Sequence, residues 1–115
     1  MVVRELELGA IRVHILHHAA RAAIFGSWMV EELRRHGYTV SYGTLYPILH
    51  RLEEEEMLAR AERVEGGHVR KYYTATARGR EELARAERLI AELYQEVVAG
   101  ESRDPGDPDA AGDGV

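Results

Sequence analysis

Residues 41–76, SYGTLYPILHRLEEEEMLARAERVEGGHVRKYYTAT, decide the fold. In the first half, Leu45, Ile48, Leu49 and Leu52 stand at i, i+3, i+4 and i+7, the spacing of a helix with one buried face. Ser41 or Thr44 can cap it. With Thr44 as the cap, Pro47 falls in the first turn, where no intrahelical donor is missing; with Ser41, the first turns are irregular. After Met57 the period changes. Residues 58–65 (LARAERVE) and 69–76 (VRKYYTAT) flank Gly66-Gly67-His68, and the second arm is rich in β-branched and aromatic side chains. Two glycines between such arms predict a β-hairpin.

Upstream, Gly26-Ser27 supplies a helix start with Ser27 as N-cap and Glu31 and Glu32 in the early turns. That helix runs to His36, and Gly37 ends it. Residues 4–19 carry Leu6, Leu8, Ile11, Val13, Ile15 and Leu16, a largely buried first helix, with a break over residues 20–26. Downstream, Thr76 caps a fourth helix in which Leu83, Ala86, Ile90, Leu93 and Val97 are spaced 3, 4, 3, 4. That is a heptad seam, long enough for a subunit contact. The order helix, helix, helix, hairpin, helix predicts a mainly α fold with a small β-hairpin: a winged helix-turn-helix plus a C-terminal dimerisation helix. Residues 1–75 form the expected DNA-binding domain, 76–100 the dimerisation helix and 101–115 a disordered acidic tail.

The chain has 115 residues, enough for one modest core. With no cysteine there is no disulfide, thiolate nucleophile or zinc-thiolate site. No signal peptide or spanning segment is apparent, so a cytoplasmic protein with no membrane partner is expected. A net charge of -5 ordinarily argues against a nucleic-acid partner, but its placement matters. Residues 101–115 hold five acids and one base, leaving residues 1–100 with 14 bases against 15 acids. Between Arg34 and Arg80 there are nine bases and six acids, four of these being the consecutive Glu53 to Glu56.

With the apolar face of the third helix buried, Tyr42, Gly43, Tyr46, His50 and Arg51 point outward. Ser41 and Thr44 stand at its N-terminus, where free N–H groups and the helix dipole attract phosphate. Hydroxyls, tyrosines and a glycine that permits close approach suit a major groove. The hairpin tip Gly66-Gly67-His68-Val69-Arg70-Lys71 is a basic loop able to place Arg70 and Lys71 on phosphates.

Residues 41–58 (SYGTLYPILHRLEEEEML) resemble the recognition-helix signature of the PadR family of bacterial transcriptional regulators. Residues 64–83 (VEGGHVRKYYTATARGREEL) are similar to that family's wing, and GSWMVEELRRHGY (residues 26–38) extends the match. The resemblance implies a homodimeric repressor on double-stranded DNA, reading an inverted-repeat operator, with the first and last helices building the dimer. It places DNA-facing positions on Ser41, Tyr42, Gly43, Thr44, Tyr46 and Arg51, and wing positions on Gly67, Arg70 and Lys71. The family usually has glycine where this chain has Glu56. Some members sense phenolic acids or flat hydrophobic drugs; a single C-terminal helix leaves little protein here for an effector pocket, any effector stays unassigned, and Trp28 reads as core or interface.

His14, His17 and His18 fall three and four residues apart, and two histidines at i and i+4 can bind a divalent metal. No acid sits in register with them, so they read as surface or interface histidines, and no metal or other cofactor is expected. Glu53 to Glu56 point in different directions around a helix and cannot converge on one substrate atom. With no nucleophile–base pair or phosphate loop, no enzyme is expected.

Overall fold

In a computed structural model, residues 1–107 are described. The elements are α1 (Val2–Arg21), α2 (Gly26–Arg35), α3 (Tyr42–Glu54), β1 (Leu58–Glu65), β2 (His68–Ala75) and α4 (Ala77–Leu93), followed by a π-helical turn, Tyr94–Val98. The expected order of helices and hairpin is thus observed. The chain groups into two compact units, Met1–Ala84 and Arg85–Val115.

The core of the first unit joins Ile11, Ile15, Leu16 and Ala19 of α1 to Met29, Val30 and Leu33 of α2 and to Leu45, Ile48, Leu49 and Leu52 of α3. Ile24, Leu58 and Tyr73 close it. Leu83, read as the first residue of the dimer seam, packs against this core.

The helix starts and stops show how local chemistry sets the frame. Ser41 caps α3, its Oγ accepting from the Thr44 N–H at 3.2 Å. Pro47 therefore lies inside a regular helix, not in its first turn. It cannot donate to the Gly43 carbonyl one turn earlier. α2 begins at Gly26, not after a Ser27 cap. The reason is tertiary: a Cβ on Gly26 would lie 2.6 Å from the Tyr46 hydroxyl, so glycine lets the start of α2 approach α3.

α2 and α3 end in the same hydrogen-bonded form. In α2 the Gly37 N–H bonds to the Arg34 carbonyl (3.0 Å) and Tyr38 N–H to the Leu33 carbonyl (2.9 Å). In α3 the Glu56 N–H bonds to Glu53 and Met57 N–H to Leu52, both at 2.9 Å. This is the Schellman pattern, which needs a left-handed residue at its centre. Gly37 fills the role at φ 90°, but Glu56 does so at φ 62°, the one positive φ outside glycine among the described residues. A left-handed conformation costs a side-chain-bearing residue on the order of 1–2 kcal/mol. Glu56→Gly is therefore expected to stabilise the protein by about 1 kcal/mol, raising the melting temperature by roughly 4–8 °C. Thermal denaturation followed by circular dichroism checks this; a lower midpoint would mean that the glutamate side chain contributes more than the strain it bears.

β1 and β2 pair antiparallel from Leu58↔Ala75 to Glu65↔His68. The turn is Gly66-Gly67 alone, with φ of 56° and 80°, and His68 belongs to β2. Two successive positive φ values are what a two-residue hairpin turn of this hand requires. Ile24, in the connector between α1 and α2, bridges Tyr73 through N–H···O bonds of 2.9 and 2.8 Å.

In the second unit Leu89, Ile90, Leu93, Tyr94, Val97 and Val98 are all exposed. Residues 101–107, read as part of a disordered tail, include a turn in which Asp107 N–H bonds to the Asp104 carbonyl at 2.9 Å. Ser102 Oγ donates to the Glu96 carbonyl at 2.6 Å. The remainder of the expected tail, residues 108–115, lies outside the described residues. No helix among the described residues is long and apolar enough to cross a membrane.

Candidate nucleic-acid interface

The outer face of α3 and the inner face of the hairpin form one surface within Met1–Ala84. Burial of Leu45, Ile48, Leu49 and Leu52 turns Tyr42 and Tyr46 outward, 49% and 43% exposed. Their rings stack at 5.9 Å with an interplanar angle of 22°. Ser41 and Gly43 are exposed beside them, and Thr44, half-buried, receives a hydrogen bond from Ser41 Oγ at 3.2 Å. A Cβ on Gly43 would meet only Ser41 Oγ, at 3.7 Å. The fold thus does not itself require glycine there, and the backbone is open to close approach.

A groove runs from the N-termini of α2 and α3 to the wing, lined by Ser27, Tyr42 and Tyr46 on one side and by His68, Arg70 and Lys71 on the other. A second groove follows the length of α3, past Tyr46, His50 and Arg51, and again reaches Lys71. The expected helix and wing residues are therefore brought together, with Lys71 at both grooves.

The charges differ in how tightly they are held. Arg51 Nε lies 3.0 Å from Glu55 Oε1, one helical turn on. Arg70 stacks its guanidinium 4.2 Å from the centre of the Phe25 ring and lies 3.7 Å from Glu65. Phe25 in turn packs edge-on to Tyr72 at 5.5 Å, and Tyr72 donates to Glu65. Arg70 is thus oriented by an aromatic shelf and a carboxylate. Lys71 has no ion pair among the described residues, so its ammonium is free to meet a phosphate. Such exposed pairs contribute little, on the order of 1 kcal/mol or less, and are readily exchanged for phosphate oxygens. Gly67 occupies the hairpin turn at φ 80°, a backbone reason for glycine whatever it touches.

Ser27 and Phe25 also belong to this surface but were not legible in the sequence as part of it, whereas His68 was already placed in the hairpin tip. Ser27 and Phe25 reach it because Gly26 lets α2 approach Tyr46, and because the hairpin pairs with Ile24 next to Phe25.

The trihelical unit, its two-stranded wing and this polar, aromatic and basic surface define a winged helix-turn-helix protein. The model of the transcriptional regulator PadR-like family matches residues 15–85, and the chain belongs to that family. The transcriptional regulator Rv3488 of Mycobacterium tuberculosis is 48% identical over 104 residues, covering 90% of this chain and 97% of the relative. A PadR family transcriptional regulator from Eggerthella lenta has a similar structure, with a TM-score of 0.76 and 30% identity over 90% of this chain and 91% of its own. A Streptococcus transcriptional regulator aligns with a TM-score of 0.74 and 26% identity, covering 84% of this chain and 97% of that one. This is a family of DNA-binding regulators of transcription, not of enzymes.

Proposed function

We propose that the chain is a homodimeric repressor that reads an inverted-repeat operator, with α3 in the major groove and the wing on the flanking backbone. The observation that carries this is the single groove shared by Tyr42 and Tyr46 of α3 and by Arg70 and Lys71 of the wing. Helix and wing then engage one duplex together. Ser41, Gly43 and Thr44 approach the phosphate and groove edge at the helix N-terminus, Tyr42 and Tyr46 meet base edges, and Arg51 reaches the backbone farther along. Gly67 shapes the tip that delivers Arg70 and Lys71.

Dimerisation is supported by Ile90, Leu93 and Val97, which repeat at the seam spacing and stand exposed, alongside Leu89, Tyr94 and Val98. Ala86 lies on the same repeat. Val2, Val3 and Leu6 of α1 are also exposed, a second apolar surface to cover. Such runs of exposed large apolar side chains mark interaction sites.

The test is fluorescence anisotropy of the protein on duplex DNA from its own upstream region, over a series of salt concentrations. Binding is expected to weaken steeply with salt. The double variant Arg70→Ala, Lys71→Ala is expected to bind about tenfold or more weaker on every sequence, with a salt slope lower by roughly 1 for each phosphate that is no longer neutralised. Tyr42→Ala is expected instead to narrow the gap between operator and unrelated DNA. Salt-insensitive binding, or none, would leave a winged-helix protein-interaction module as the reading.

A further inference from the structure

α1 carries His14 and His18 one turn apart, with their rings nearly parallel (11°) and their centroids 6.2 Å apart. The fold sets a third histidine against them. His36, the C-terminal cap of α2, lies with its ring centre 4.9 Å from that of His14. One ring nitrogen from each of the three falls within 4.8 Å of the others. The acid that α1 does not offer in register comes from α2: Glu32 Oε2 is 3.1 Å from His36 Nε2 and 3.4 Å from His18 Nε2. His17 is exposed and stands outside the group.

Glu32 is 8% exposed, the one buried charged side chain among the described residues. Its other oxygen takes an ion pair from Arg35 at 2.8 Å. Burying a carboxylate is unfavourable unless charges or hydrogen bonds compensate. Burial raises its pKa, but the hydrogen bond with His36, then the charges of Arg35, His18 and His36, hold the group below its usual range. Burial, followed by the charge of His36 for His14 and of His17 for His18, lowers the pKa of both α1 histidines. Two of the three imidazoles, those of His18 and His36, lie against the carboxylate, and the third, His14, brings a ring nitrogen within 4.8 Å of theirs.

From this geometry we infer that His14, His18, His36 and Glu32 form a binding site for a divalent transition-metal ion of the zinc type. Imidazole nitrogens and a carboxylate oxygen are donors that such an ion takes in tetrahedral coordination. Bonds of about 2.0–2.1 Å place tetrahedral ligands about 3.3 Å apart, so nitrogens within 4.8 Å of one another need to close by at most about 1.5 Å. The site joins the middle of α1 to the last turn of α2. His36 directly precedes the Gly37 turn that leads to α3, so the ion would fasten the connection from which the recognition helix starts. Metal binding here does not depend on the proposed operator.

The chain supplies its own reporter, because its single tryptophan, Trp28, packs edge-on to His18 at 5.2 Å. The experiment titrates the full chain, stripped with a chelator, with Co²⁺ and with Zn²⁺. Trp28 emission and Co²⁺ absorption are followed, with isothermal calorimetry for stoichiometry. One ion per chain is expected, with quenching of Trp28 by paramagnetic Co²⁺, a tetrahedral absorption band, and displacement of Co²⁺ by Zn²⁺. His14→Ala and His36→Ala are each expected to weaken binding by roughly a hundredfold or more, and His17→Ala by less than about twofold. Circular dichroism of each variant reports whether it folds. Should His14→Ala unfold, His36→Gln at the more exposed end of α2 carries the same test. Failure to bind either ion, or binding that survives His36 substitution while being lost with His17, would overturn the assignment.

Discussion

Gly79→Ala should lower the stability of this protein by about 3 kcal/mol or more, although it adds only a methyl group. Gly79 lies in the first turn of α4, and a Cβ there would fall 2.1 Å from the carbonyl oxygen of Met57 and 3.0 Å from its carbon. That carbonyl cannot retreat, because it accepts the Thr76 N–H at 3.1 Å. Thr76 is doubly committed: its hydroxyl donates to the Glu56 carbonyl and accepts from the Gly79 N–H at 3.0 Å. The start of α4 is thereby tied to the junction between α3 and β1, with no room for a side chain between them. An alanine must either push α4 outward or break the Thr76 anchor. The expected readout is a drop in melting temperature of more than about 10 °C. Gly9→Ala is the internal control. It sits within α1 with nothing inside 4 Å of an added Cβ, so the same chemical change should stabilise by up to about 1 kcal/mol. Equal effects at the two positions would show that the close approach at Met57 is relieved by small adjustments.

The second large effect is expected from Leu93→Asp. Leu93 is 44% exposed and lies at the seam spacing between Ile90 and Val97. In the proposed two-fold dimer one substitution introduces two carboxylates into an apolar contact, each losing water without gaining a partner. Sedimentation should shift from about twice the chain mass of 13.0 kDa to the single-chain value. The core of Met1–Ala84 does not include Leu93, so the far-ultraviolet spectrum should be unchanged. Operator affinity should fall by about a hundredfold or more, since one half-site is then bound alone. A wild-type chain that sediments as a monomer, or a variant that stays dimeric, would remove the seam from the interface.

The parts of the fold that were legible in sequence are those set by neighbours along the chain. Leu45, Ile48, Leu49 and Leu52 declare α3 by their spacing, and all four are buried. Gly66-Gly67 declares the hairpin, because few other residues adopt two successive positive φ values. The parts that were not legible depend on residues distant in sequence. Gly26 reads as a residue before a serine cap until Tyr46 is seen against it. Nothing along the chain singles out Gly79, and its need for glycine comes from the Met57 carbonyl between α3 and β1. The histidines of α1 read as a surface group because their acid, Glu32, and their third member, His36, belong to the next helix. Glu56 is an intermediate case. The resemblance marks it as a departure from glycine, and only the backbone angle gives that departure a physical meaning.

The bridge between Ile24 and Tyr73 has a mechanical consequence for the wing. A free two-stranded ribbon would flex from its root, and its tip would sample many positions. Here the root is stitched on its outer edge by two backbone hydrogen bonds to the connector after α1, and Tyr73 is sunk in the core. The ribbon therefore behaves as a cantilever clamped at one end. Its freedom grows from Tyr73 toward the Gly66-Gly67 turn, with Arg70 and Lys71 in between. A clamped root fixes the distance between wing and recognition helix, while the compliant tip lets the same protein follow a backbone whose width varies from one site to the next.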